Sequence, residues 1–237
     1  MRSIDPIILV IYLVFIAWAL SQIVSSFNDE YTVSLDDDAL KQQLTDQNLQ
    51  DIVGIGFDFE KRYEFGKDDK LRQFGVKVTN KSQTHSIYID WDYCATTDLQ
   101  GRSRRVTRLV PGTTLDLFQN QVFSTVASGA TLKEVITAED VLKRKEPSDK
   151  DSAVALEMEV SKPLLDFEAL KKSKDDPPKK KYARFVARID PLEFSLDLAL
   201  RLIGSTYSAE GDRIQLRCKF ILKKLPWYAG LPWNPKD

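Results

Sequence analysis

From Asp51 onward, apolar side chains recur at every second position along most of this chain. That is the spacing of strands that bury one face and wet the other. Val53, Ile55, Phe57 and Phe59 share a face in DIVGIGFDF, and Phe74, Val76 and Val78 do so in LRQFGVKVTN. Ile87, Ile89, Trp91 and Tyr93 continue the pattern in SIYIDWDYC, and Asn-Lys-Ser and Gly-Lys-Asp-Asp supply turns. Asp98 to Gly101 predicts a turn, Arg102 to Val110 a strand, Pro111-Gly112 another turn, and Thr113 to Phe118 a further strand. TAEDVLKRK predicts a short helix from Thr137, and Val154, Leu156, Met158 and Val160 restore the alternation in AVALEMEV. The strongest pattern comes last. Phe194, Leu196, Leu198, Leu200 and Leu202 face Ile214, Leu216, Cys218, Phe220 and Leu222 across a loop of about eight residues, which predicts a long hairpin. The expected fold is mainly β, an antiparallel β-sandwich with short helices.

Three segments depart from this period. PIILVIYLVFIAWALSQIVSSF, Pro6 to Phe27, holds no charged side chain over 22 residues. As a helix rising 1.5 Å per residue it is about 33 Å long, against a hydrocarbon core of roughly 30 Å. A single transmembrane helix is the expectation, with Ile7 and Leu20 bounding its densest part and Tyr12 and Trp18 as interfacial residues. A cleaved signal peptide with a site at Ala17-Trp18-Ala19, and a buried soluble helix, are the alternatives. NDEYTVSLDDDALKQQLTDQNLQ follows as an acidic stalk in which Ser34 and three aspartates predict a capped helix. DFEALKKSKDDPPKKK, 166–181, reads as a solvated, charged loop inserted in the domain.

The layout is then an N-terminal flank 1–5, a span 6–27, a stalk 28–50, a sandwich 51–224 and a Pro/Trp-rich tail 225–237. Arg2 lies before the span and no basic residue follows it before Lys41, so the positive-inside rule places the N-terminus in the cytoplasm and the main domain outside it, periplasmic or lumenal. With 34 Lys and Arg against 35 Asp and Glu, the chain lacks the basic excess of a general nucleic-acid binder.

The order V-K-V-T-N-K-S, S-I-Y-I-D-W-D, D-L-Q-G and R-L-V-P-G-T-T, with Asn80, Ser82, Trp91, Asp92, Gly101, Pro111 and Gly112, resembles the immunoglobulin-like FxLYD type of extracytoplasmic domain over residues 52–136. The resemblance implies an immunoglobulin-like sandwich; the charged segment and the C-terminal hairpin depart from so short a module. The whole chain also resembles single-span proteins of cyanobacteria, which brings no activity with it.

Candidate chemistry is sparse. The one histidine, His85, falls in a turn with no ligand cluster, and no nucleophile elbow, zinc or phosphate-loop motif occurs. No cofactor or metal is expected. Asp90 and Asp92 share the polar face of a strand with the spacing of solvated residues. Cys94 and Cys218 are a disulfide if the compartment is oxidising; Cys218 otherwise behaves as a small buried hydrophobe, whereas Cys94 aligns with the polar Asp90 and Asp92. Arg102, Arg104 and Arg108 share one face of a strand, and Leu-Pro-Trp occurs twice near the end, at Trp227 and Trp233. These arginines and tryptophans are the candidate partner-binding residues, since both types carry interface energy. The functional expectation is a membrane-anchored, non-catalytic accessory or assembly subunit that binds membrane-protein partners, with a lipid or small-ligand carrier using the space around Leu196, Leu198 and Phe220 as the alternative.

Overall fold

The alternation of apolar residues becomes a curled antiparallel sheet. The computed structural model describes residues 5–26, 30–64, 70–110, 119–144, 158–204 and 212–230. Its strands in chain order are β1 (Glu30–Leu35), β2 (Val53–Asp58), β3 (Tyr63–Glu64), β4 (Phe74–Asn80), β5 (Ser86–Ile89), β6 (Ala95–Thr97), β7 (Ser103–Leu109), β8 (Ser124–Val126), β9 (Thr131–Ala138), β10 (Leu142–Arg144), β11 (Met158–Val160), β12 (Leu192–Ile203) and β13 (Asp212–Lys224). The helices are α1 (Asp5–Ser26), α2 (Asp37–Asp46), α3 (Phe167–Lys172) and α4 (Asp176–Val186). Eleven strands join one sheet along the path β2-β4-β9-β7-β6-β12-β13-β1-β3, with β5 and β8 paired beside β12, while β10 and β11 form a separate pair.

The β12–β13 hairpin is its backbone. Leu196 pairs with Cys218, Phe194 with Phe220 and Leu198 with Leu216, the register that the alternation requires. A slip of one residue would turn the whole leucine row to water, which is why the register is unambiguous. The sheet folds over that row. Phe57 on β2 meets Phe220 on β13 edge-to-face at 4.7 Å between ring centroids, and Phe59, Phe74 and Phe194 complete the aromatic centre. Strands at distant positions in the hydrogen-bonded path are thus face to face, as in a sandwich.

Several expectations change. The acidic stalk is part of the fold: β1 pairs with β13 from Tyr31↔Lys224 to Leu35↔Phe220, and Tyr31 is wholly buried. Its helix α2 is capped by Asp36, two residues beyond Ser34, with the side chain accepting from Ala39 N at 3.2 Å. Gln43 ties α2 to β13 by donating to Arg217 O and accepting from Arg217 N.

The SIYIDWDYC segment is not one strand. A 3-10 turn at Trp91–Tyr93 interrupts it, so Trp91 is buried while Tyr93 is 59% exposed. The same turn rotates Cys94 inward, where it is 1% exposed. No α-helix starts at Thr137: that residue is in β9, and only the 3-10 turn Glu139–Val141 follows.

The charged segment 166–181 folds as α3 and most of α4. Asp166 caps α3 by accepting from Ala169 N at 2.9 Å, and Pro177-Pro178 open α4, where a missing N–H costs nothing. Phe167, Leu170 and Phe185 are buried beneath them, so three apolar anchors outweigh the local charge. The predicted strand 113–118, its Pro111-Gly112 turn, the start of AVALEMEV and the hairpin loop lie outside the described residues.

Helix α1 runs 22 residues. Its side chains are described at 7–20, and from Ile7 to Phe15 they are exposed on every side, between 55% and 64%. Among the described residues no helix is long and apolar enough to cross a membrane. The described stretch 7–20 is shorter than the roughly 20 residues that a span takes.

Candidate functional site

Arg102, just before β7, and Arg104 and Arg108 on it do not form an open basic face. Arg104 lies on the same face as Val106 and its side chain is 7% exposed. Its guanidinium donates to Leu164 O at 2.5 Å and pairs with Asp140 at 3.2 Å. Arg108 is half-buried, pairs with Glu134 at 3.2 Å and donates to Ser124 Oγ at 2.7 Å. Ser124 also receives the indole N–H of the buried Trp91 at 2.9 Å and donates on to Glu134, so four side chains satisfy one another where the interior meets the surface. Arg105, on the opposite side, bridges Asp92 and Glu139, and the neighbouring Asp92 carboxylate raises its pKa. Only Arg102 is largely in solvent, and it is paired with Asp98 at 3.1 Å and Asp140 at 3.4 Å.

The aspartates are also engaged. Asp90 is buried against Arg201, and Asp98 accepts from the N–H groups of Gln100 and Arg102 at 2.9 Å each, with Gly101 at φ +83° closing that turn. No group of three or more His, Cys, Asp or Glu able to hold a metal ion occurs among the described residues. His85 Nδ1 lies within hydrogen-bond distance of Ser82 Oγ and Thr84 Oγ1 at 2.9 and 3.0 Å. The ring sits so close to Gly204 that a Cβ there would come within 2.2 Å of it. Asn80, fully buried, pins the same turn through His85 O, Val126 O and Ser82 N, which gives the V-T-N-K-S motif a structural duty.

Cys94 and Cys218 are both buried free thiols. Cys94 donates to Asp90 O at 3.2 Å and accepts from Ala199 N at 3.4 Å. Burial pushes both thiols up to about 12, so neither offers a thiolate nucleophile near neutrality.

Among the described residues, two surface grooves are broad. One of about 540 Å³ lies between the β6–β7 turn, α4 and the start of β12. Its walls carry Arg217 paired bidentately with Asp197, Lys219 paired with Glu193, and Lys181. The other, about 420 Å³, runs between the outer edges of β1 and β2 over Val33, Leu35, Ile55 and Phe57. A third exposed feature is apolar. Gln121 N donates to Asp92 at 3.0 Å, which brings residues 121–123 alongside the Trp91–Tyr93 turn. Val122 is 72% exposed there, and Phe123 and Tyr93 stand in solvent, the Phe123 ring 6.3 Å from that of Tyr88 and Arg213 5.4 Å over the Tyr93 ring.

Of the predicted tryptophans, Trp227 opens the 3-10 turn Trp227–Gly230, while its side chain and all of Trp233 fall outside the described residues. The turn itself is tied down: Leu225 N donates to Glu30 O, and Arg62 donates to Ala229 O. Sequence reasoning missed the Tyr93–Phe123 patch because Val122-Phe123 has no period to read, and missed α4 because its charge masked the Asp-Pro-Pro helix start. Comparison of the chain with family models, curated proteins and solved structures finds no match.

Proposed function

We propose that this protein is a membrane-anchored, non-catalytic accessory subunit that binds a partner protein in or beside the bilayer. The observation that carries the reading is α1: its uncharged side chains from Ile7 to Phe15 are exposed around the whole helix, and an apolar helix without a polar face is stable only in an apolar medium. The bilayer is that medium, with the N-terminus cytoplasmic and the β domain periplasmic or lumenal. An immunoglobulin-like character for residues 52–136 belongs to the same reading, supported by the buried Asn80 and Trp91 of the matching motifs.

The partner contact is the patch of Tyr93, Val122 and Phe123. Exposed aromatic side chains flanked by arginine are the usual energetic centres of an interface. The patch lies beside Ala199, where Asp90 N donates to Ala199 O, seven residues along β12 from Leu192. That is about 24 Å from the hairpin end where α1 and β1 meet the domain. A ligand carrier using the interior is less well supported, because Leu196, Leu198 and Phe220 are fully buried among packed side chains and the grooves are on the surface.

Affinity capture of the tagged full chain from detergent-solubilised membranes tests this. Recovery of a stoichiometric membrane protein is expected, and its loss with Val122→Ser/Phe123→Ser at unchanged folding. Recovery of the chain alone would overturn the proposal.

A further inference from the structure

Residues 167–190 carry eight Lys and Arg against four Asp and Glu, in a chain whose net charge is −1. Most of these lie on α3 and α4, with Lys174 between the two helices and Arg188 just past α4. Phe167, Leu170 and Phe185 turn inward, while Lys171, Lys174, Lys179, Lys180, Lys181 and Arg188 are exposed. Lys172 pairs with Glu168 at 3.0 Å and Arg184 with Asp190, but those six cations are in no ion pair among the described residues. On β7, by contrast, Arg104, Arg105 and Arg108 are each paired with a carboxylate. The basic excess is therefore concentrated on this helical pair.

Its position decides what it meets. Lys224 Nζ, at the end of β13, donates to Val186 O at 3.1 Å, at the end of α4. The next residue, Leu225, donates its N–H to Glu30 O at 2.9 Å, at the start of β1 and four residues past α1. The turn Trp227–Gly230 lies against α1. The C-terminal end of α4 and the entry of α1 thus share one end of the domain, where Ile189 is 61% and Tyr228 52% exposed.

We propose that the α3–α4 face docks on an anionic bilayer surface beside α1; this rests on the reading of α1 as a membrane anchor. Unpaired lysines on flexible stems suit the diffuse charge of phosphate headgroups, which demand no fixed geometry. Ile189 and Tyr228 supply an apolar edge and an amphipathic ring at headgroup depth. A protein partner would call for a preorganised pocket or bidentate pairs around these cations, whereas all but Lys181, which borders the groove beside β12, lie outside the grooves described above. The tether keeps the face within reach of the surface, so even weak attraction holds it there. The domain is then oriented against the membrane as well as tied to it, with the Tyr93–Phe123 patch held away from the lipid.

The full chain is reconstituted into vesicles of phosphatidylcholine alone or with one third phosphatidylglycerol, and its lysines are acylated for a short time and mapped by mass spectrometry. Acylation at Lys179, Lys180 and Lys181 is expected to slow about fivefold in the anionic vesicles, the factor that one cation's attraction to such a surface is worth. The protection should vanish in 1 M NaCl, where screening acts within about 3 Å. Lys179→Glu/Lys180→Glu should remove it from Lys171 and Lys174 as well. Equal acylation in both vesicle types, with the chain retained through an alkaline carbonate wash, overturns the docking and leaves the anchor standing. Loss of the chain in that wash overturns both.

Discussion

Replacing Phe57 and Phe220 with alanine, singly and together, measures how far the sheet curls over its own core. Along the hydrogen-bonded path β2 is first and β13 seventh, so six steps of about 4.8 Å would separate them by about 29 Å in a flat sheet. Their rings are instead 4.7 Å apart at 90°. Phe220→Ala empties a fully buried site ringed by Phe59, Phe74 and Phe194, a loss of about 3–5 kcal/mol. Phe57 is only partly buried, so Phe57→Ala costs less, about 2 kcal/mol. The double variant should lose less than both together, by a coupling of about 0.5–1.5 kcal/mol for an edge-to-face pair. Urea unfolding of the full chain in mild detergent, followed by fluorescence of the buried Trp91, reads all four stabilities. Additivity within about 0.3 kcal/mol would refute the curled arrangement.

The two thiols make stability fall in alkali. Each stays protonated in the fold to about 12 but ionises near its ordinary value of 9.0 when unfolded, so stability is unaffected below pH 9 and declines above it. The decline is about 1.4 kcal/mol per pH unit for each thiol, and urea midpoints between pH 8 and 10.5 should drop less in Cys94→Ala/Cys218→Ala. Arg104→Leu strips the donor from Leu164 O and the partner from Asp140, which should cost about 2 kcal/mol, whereas the exposed Arg102→Ala should cost under about 0.5 kcal/mol; thermal melting separates them. Truncation after Lys224 removes the bonds from Leu225 to Glu30 and from Arg62 to Ala229, so it should lower stability by about 1–2 kcal/mol and speed proteolysis near β1; unchanged proteolysis would show that the tail serves association alone.

Alternation by itself determined the β12–β13 hairpin and several further strands, because burial of one sheet face leaves a period-two record in the side chains. The β12–β13 hairpin, β2, β4 and β7, the Asp98–Gly101 turn and the inward face of Cys218 were all legible that way. So was the uncharged, largely apolar run of α1 after Asp5. Where a single backbone turn changes the face, the record misleads: the 3-10 turn at Trp91 exposes Tyr93 and buries Cys94 against the alternation. Where charge is dense, three buried anchors decide the outcome, and Phe167, Leu170 and Phe185 make helices of a segment whose composition reads as loop. The arginines of β7 show the same limit from the other side. Their shared face is visible in the sequence, but their partners Asp140, Glu134 and Leu164 O arrive from 26 to 60 residues away. Spacing along a chain says which side chains point together; only the folding of distant segments onto them decides whether they meet water, a carboxylate or a membrane.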